Sequence, residues 1–458
     1  MTYVRRVSIA ALLLLCASCG GGSDSADQEA LARKVKLVPL PSPTPTPTPT
    51  STATSAPLAT TAAAANLAGL VQLDAIPSNF DTSAEMVAGA LPASNAGDVV
   101  GAFRMSCKAS HNAYDDPIVY PGQPGKSHLH TFFGNTKTDA YSTYQSLRTT
   151  GESTCHSKLN RSAYWVPALM NGLGKVVMPD ELTVYYKNWP ASSPMCTQAG
   201  KGCVPLPRGL RMVFGRSMTD PNQKAETYFN CQGTGAVPGT FETLAEAAKN
   251  CPSGAQLGAI NVAPNCWNGT ELDSADHRSH LAFAYRDGDG IIRCPSTHPW
   301  VIPHYTLGAW YTTDSTLDRS GSTDPNLQTW YFSSDRMTGM ANKVPGSTFH
   351  ADWFGAWDDN ALMAWQTNCI DKLNSCNAGN LGNGFSMKWL AGFNFIADPR
   401  LVDPPIRITA MLCTGKGKLR PVDKERRRKG KPAEDVLSQR MLFADLSRRW
   451  FPETGRVA

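Results

Sequence analysis

From residue 91 to residue 413 the apolar positions recur mostly at every second residue, and rarely at helical spacing. Short runs at 99–107, 164–170, 182–186, 210–214, 280–285, 300–311 and 329–332 are rich in Val, Tyr, Trp or Phe and are bounded by Gly, Pro or Asn. That pattern predicts strands joined by ordered loops. Helical periodicity is confined to two windows, 241–249 and 359–367. The fold class expected is therefore mainly β: one domain over 91–414, a two-sheet sandwich or jelly roll with long disulfide-stapled loops and few short helices.

The two ends of the chain break the pattern. Arg5 and Arg6 precede an apolar stretch from Val7 to Leu15, too short to span a bilayer and suited to a secretory leader. The following Cys16-Ala17-Ser18-Cys19-Gly20 resembles a bacterial lipobox, with Cys19 as the residue to be acylated, although Cys16 stands where Leu is usual. Residues 1–19 are thus expected to be a signal peptide and 20–90 a disordered Pro-, Thr- and Ala-rich stalk, since alternating proline at 41–50 holds the backbone extended without a core. Ordinary cleavage near Ala17 or Ser18, without an anchor, is the alternative. Residues 415–458 are expected to form a basic tail, helical around 436–451, where Val436, Met441, Leu442, Leu446, Trp450 and Phe451 recur among Arg and Ser.

Charge changes the picture in one respect. The tail holds 13 Lys and Arg against 6 Asp and Glu, a surplus of 7 that exceeds the whole-chain +5 and leaves the rest at −2. A nucleic-acid partner needs a basic folded face, so that class is disfavoured. The expected partners are instead a polysaccharide or another cell-envelope polymer, and a membrane reached through the lipid anchor. The location expected is extracytoplasmic.

Thirteen cysteines in an exported chain imply disulfides. Setting aside Cys16 and Cys19 leaves an odd number, so one is unpaired. Cys196 with Cys203 and Cys369 with Cys376 each suit a short closed loop, and Cys231 with Cys251 is the next pairing expected. No CxxC pair is present, which weakens a zinc-ribbon reading.

The histidines carry the candidate chemistry. His128 and His130 lie one residue apart, so in an extended segment both imidazoles leave the same face. His277 and His280 follow Asp273 and Asp276 in a loop, and His350 and Asp352 repeat the one-residue spacing. Imidazoles with a carboxylate suit zinc or copper where thiols are tied up in disulfides. The metal ligands expected are His128, His130, His277, His280 and His350, with Asp273 and Asp352 as catalytic groups. Each pair taken alone better suits hydrogen-bonded histidines beside an aromatic core, and it is the three groups together in one domain that bring a metal site level with that reading. His111, His156, His298 and His304 stand singly and read as structural, and Asp287-Gly288-Asp289-Gly290 reads as a tight turn.

The string DPIVYPGQPGKSHLHTFFGN, with Asp116, Pro117, Ser127, His128 and His130, resembles the opening of the domain-of-unknown-function family numbered nineteen ninety-six. Later blocks agree in order: Ser162 to Pro167, Pro207 to Met212, Asn265 to Gly269 with Asp273, Asp276 to His280, Cys294-Pro295 with His298-Pro299, and His350 to Trp353 with Gly355 and Trp357. The resemblance covers about residues 100–380 and implies an extracytoplasmic, disulfide-bearing domain without assigning an activity. That family commonly has a close cysteine pair near Cys155, and this chain has only the one, which would account for the odd count.

Three functions fit. The first is a metal-dependent enzyme acting on polysaccharide or envelope polymer. The second is a metal-independent glycoside hydrolase, with Asp273, Asp276, Asp352 and Asp358 supplying acid and base and Tyr164, Trp165, Trp267, Trp353 and Trp357 stacking on sugars. The third is a non-catalytic carbohydrate-binding or adhesion module on a stalk.

Overall fold

Among the described residues two large, almost wholly antiparallel sheets face one another across an aromatic core, and there are four smaller sheets besides. The computed structural model describes residues 67, 69–94, 99–220 and 222–407. The strands of the two large sheets are β1 (Ala93–Ser94), β2 (Gly101–Cys107), β3 (Ala109–Ala113), β4 (His130–Gly134), β5 (Ala163–Pro167) and β6 (Glu181–Asn188). They continue with β7 (Arg211–Gly215), β8 (Glu226–Gln232), β9 (Gln256–Val262), β10 (His304–Thr312), β11 (His350–Phe354) and β12 (Asn374–Cys376). One sheet has seven strands in the order β8-β9-β10-β6-β2-β12-β1, and the other has five in the order β7-β11-β5-β4-β3. All their pairings are antiparallel except β12 with β2.

Alternation explains the core. In β6, Leu182, Val184 and Tyr186 point inward, and in β10 Tyr305, Leu307, Ala309 and Tyr311 do the same. From the five-stranded sheet Phe133, Tyr164, Val166, Met212, Phe214, Ala351 and Trp353 meet them. The Tyr164 and Tyr186 hydroxyls lie 3.0 Å apart, and the Tyr305 ring is 5.5 Å from that of Trp353. The opposite face of the five-stranded sheet is covered too: Phe132, Trp165 and Phe354 pack there with Ile118 and with Tyr144 and Leu147 of helix α1 (Tyr144–Thr149). Thr143 caps α1 through its side chain.

The sandwich matches the expected class, and α3 (Leu244–Lys249) and α4 (Asp359–Trp365) fall in the two windows of helical periodicity. Besides α1, the chain forms α2 (Pro194–Ala199), which that periodicity does not predict. The expected pairs Cys196–Cys203, Cys231–Cys251 and Cys369–Cys376 are disulfides, joined by Cys107–Cys155 and Cys266–Cys294. Cys155 is therefore not the odd cysteine. Cys413 lies outside the described residues, as do the expected signal peptide with Cys19, most of the expected stalk and the basic tail. Five bridges suit an extracellular, oxidising environment, and no helix among the described residues is long and apolar enough to cross a membrane.

One boundary moves. Residues 69–90, expected in the stalk, pack on the body: Met86–Ala88 pairs with Phe385–Met387, and buried Arg148 donates to the Ile76 carbonyl at 3.1 Å and to Ser78 Oγ at 2.9 Å.

Candidate metal centre

The covered face of the five-stranded sheet carries the site. His130 opens β4 and His350 opens β11, with β5 between them. Residues of even number in β4 and β11 point to this face, so His130, His350 and Asp352 share it, and His128 follows one step before β4. The rings of His128 and His130 lie 4.1 Å apart between centroids, as the one-residue spacing predicts. His350 stands 5.1 Å from His128 and 6.1 Å from His130.

Each imidazole is oriented through Nδ1. His130 Nδ1 donates to the Asp115 carbonyl at 2.9 Å and His350 Nδ1 to the Thr348 carbonyl at 2.8 Å. His128 Nδ1 faces Ser333 Oγ at 3.0 Å and the Leu129 carbonyl at 3.3 Å. A proton on Nδ1 leaves a lone pair on Nε2, the arrangement that outer partners impose on metal-bound histidines. One ring nitrogen from each of the three lies within 4.8 Å of the other two. Tetrahedral coordination at ~2.0–2.1 Å needs about 3.3 Å between nitrogens, so a contraction of up to about 1.5 Å completes it. His130 Nε2 is buried with no hydrogen-bond partner, and so are both carboxylate oxygens of Asp352. The Asp352 carboxylate lies 3.8 Å from His350 Nε2.

Burial sets the charge state. It holds His128 down at about 4 and drives His130 and His350 well below the usual imidazole range, aided by their mutual proximity. Asp352 is pushed well above the carboxylate range by burial and then by Asp116, against the pull of Arg278. Asp116 is itself raised to about 6 by burial, although the Ile118 and Val119 amides donate to it. Three neutral bases and a proton-holding carboxyl are thus gathered where a divalent cation would satisfy them.

The loop that carries His128 is held from outside. Arg407 Nε donates to the Gly125 carbonyl at 2.7 Å, and its Nη2 to the Lys126 and Ser127 carbonyls, each at 3.1 Å. On the other side, a cavity of about 330 Å³ is lined by Gly215, Lys224, Asp276, Arg278 and Phe283. Arg278 lines it and its charge also acts on Asp352.

Other expected residues fall elsewhere. His280 is fully buried with both nitrogens engaged, Nδ1 with Ser274 Oγ at 2.9 Å and Nε2 with the Arg211 carbonyl at 2.8 Å, so it has no lone pair to offer a metal. His277 lies outside the three-histidine group. Its Nδ1 faces Asp273 at 2.9 Å, and Asp273 also meets Arg211 at 3.3 Å. That hydrogen bond raises the His277 imidazole above its ordinary 6.5. Asp273 is tied up with His277, so Asp352 alone of the two expected catalytic carboxylates stands beside the cluster. His277 has φ 59°, a left-handed backbone that is strained for a residue with a side chain.

The expected sugar platforms are absent. Tyr164, Trp165, Trp267 and Trp353 are each at most 1% exposed, and they serve as packing. Residue pattern did not point to Ser333, Thr348, Arg278 or Arg407 as partners, because hydroxyl, carbonyl and guanidinium contacts made across the fold leave no local spacing.

No curated protein and no solved structure matches the chain. The family described as Domain of unknown function (DUF1996) matches it over residues 116–357. That span is more than half of the 458 residues and contains His128, His130, His350 and Asp352, and the chain belongs to the DUF1996 family.

Proposed function

We propose that the protein is an exported metal-dependent enzyme in which His128, His130 and His350 hold one zinc or copper ion, acting on a polysaccharide or another envelope polymer. The observation that carries this reading is the convergence of three imidazoles whose Nδ1 atoms are each turned toward an oxygen, with His130 Nε2 buried and left without a partner. Three histidines leave a position open for water or substrate. A bound ion supplies Lewis acidity there, activating water if zinc and oxygen if copper.

Asp352 is the acid–base group of this reading. It has no hydrogen bond and its carboxylate lies 3.8 Å from His350 Nε2, within reach of a group bound at the ion. The reading of a surface that stacks sugars on Tyr164, Trp165, Trp267 or Trp353 loses its support, since those rings are buried.

Elemental analysis of the full-length exported protein tests the reading. About one zinc or copper per chain, lost in His130→Ala together with hydrolysis or oxidative cleavage of envelope polysaccharide, is the expected result. Cleavage that survives metal removal would transfer the activity to the metal-independent carboxylate mechanism.

A further inference from the structure

The cavity of about 330 Å³ beside the histidine cluster is lined by two cations, Lys224 and Arg278. Val213 and Gly215 of β7 form part of its wall, and in the antiparallel pairing of β7 with β11 they stand opposite Asp352 and His350. Opposed residues of paired strands share a face, with ~4.5–5.5 Å between their Cα atoms. That wall thus belongs to the strand next to His350 and Asp352, on their face of the sheet.

Both cations keep donors to offer. Arg278 gives one of the five N–H donors of a guanidinium to the protein, Nη1 donating to the Gly215 carbonyl at 3.0 Å. Its Nε and Nη2 edge, the fork that grips a carboxylate with two parallel bonds, is given to no protein group among the described residues. Lys224 is exposed, and its ammonium stands over the half-buried ring of Phe283 at 4.9 Å, which orients it along the lining.

Asp276, the one acid in the lining, is engaged within its own loop. Its Oδ1 accepts from Ser274 Oγ at 2.8 Å, from the Arg278 and Ser279 amides at 3.1 and 2.8 Å, and from Ser279 Oγ at 2.8 Å. Two cations against this carboxylate leave the lining with a single positive charge in excess.

We infer that this cavity seats one carboxylate of an acidic polysaccharide, a uronate unit, so that the polymer acted on at the metal centre is anionic. The link to catalysis rests on the metal-enzyme reading; the binding rests on the cavity alone. A surplus of one positive charge matches a monoanion, whereas a phosphate monoester carries about −1.5 to −2. The planar fork of Arg278 matches the two oxygens of a carboxylate, and the Phe283 ring offers apolar surface to the carbon skeleton behind it. The volume lies at the lower end of the ~300–1,000 Å³ of ligand pockets, which suits one charged unit of a chain.

Calorimetry on the full-length protein tests it, with dimers and trimers of galacturonate, glucuronate and mannuronate as probes, each beside its methyl ester, with and without a chelator. At least one acid is expected to bind with Kd of ~1 mM or below and about tenfold tighter than its ester, in which the charge is removed. Arg278→Gln should weaken that binding about tenfold or more, as the loss of hydrogen bonds to a charged group does, and Arg278→Lys should restore only part of it because the fork is gone. Lys224→Gln should weaken it about threefold and leave the melting temperature unchanged, since Lys224 is exposed and contacts only the Phe283 ring. The inference is overturned if acids and esters bind alike, if no probe binds, if Arg278→Gln and Lys224→Gln both bind as wild type does, or if poly(glycerol phosphate) fragments bind tighter than every uronate. Acid-selective binding by protein that never carries metal would sink the metal reading and leave the carboxylate seat standing; stoichiometric metal without acid-selective binding would do the reverse.

Discussion

Stripping the metal from the full-length protein should lower its melting temperature by about 5–10 °C. The fold leaves His130 Nε2 and the two Asp352 oxygens buried without protein partners. A buried polar atom left unpaired costs ~1–3 kcal/mol, and an ion held by the three imidazoles satisfies the first of these and lies beside the second. At a free metal concentration ~100-fold above Kd, binding to the folded state alone contributes about 2.7 kcal/mol. Domains of 150–250 residues shift by ~2–4 °C per kcal/mol, which gives the range stated, and a body this large belongs toward its lower end. The assay is thermal unfolding of chelated protein against protein resupplied with zinc or copper, with elemental analysis alongside. His130→Ala should abolish the metal-dependent shift. His280→Ala is the control: it loses bonds to Ser274 and Arg211 and should melt earlier, yet keep the shift. Folded wild-type protein that carries no stoichiometric metal and melts at the same temperature with and without either ion would refute the reasoning.

Three further outcomes follow from particular contacts. Arg407→Ala frees the carbonyls of Gly125, Lys126 and Ser127 and should weaken metal binding about tenfold, the low end of what outer-partner losses cost, as read by competition with a chromophoric chelator; unchanged affinity would remove Arg407 from the positioning of His128. Asp273 raises His277 above 6.5, so the stability this pair contributes is full below 6.5 and is lost as pH rises through the raised value. The melting-temperature gap between wild type and His277→Gln should therefore narrow from about pH 6 to about pH 9, and a widening gap would reverse the sign of that linkage. Cys19→Ala should move the protein from the membrane fraction to the soluble exported fraction, and an unchanged distribution would dispose of the lipid anchor.

What could be read from sequence was what depends on neighbours along the chain. His128 and His130 needed only an extended backbone to face the same way, and short disulfide loops such as Cys196–Cys203 needed only proximity. The third histidine was a different matter. Nothing near residues 277–280 or 350 says which reaches the first pair; that is decided by the pairing of β11 and β4 on either side of β5, across more than 200 residues of chain. Once that register is set, His350 joins the cluster. His280 is turned instead toward the Arg211 carbonyl at the start of β7. The cysteine pairing Cys107–Cys155 was hidden for the same reason, its partners being 48 residues apart.

The misplaced sugar platforms have a single physical cause, and it also accounts for the site. Reading Trp165 or Trp353 as a stacking surface assumes that a strand with alternating large side chains keeps one face in water. In β5 and β11 every residue is buried. The inner face packs on the seven-stranded sheet, and the outer face is roofed by α1 and the segment that holds Ile118. Trp165 on one side and Tyr164 on the other are consequently equally enclosed. The same roof takes water away from His130, His350 and Asp352, which share the outer face, and burial is the largest cause of their shifted protonation. On an open sheet those three groups would be ordinary solvated side chains with their hydrogen bonds made to water. Under the roof they have lost that solvent without gaining protein partners for His130 Nε2 or the Asp352 oxygens, and this unmet demand, more than the number of histidines, is what argues for a cation.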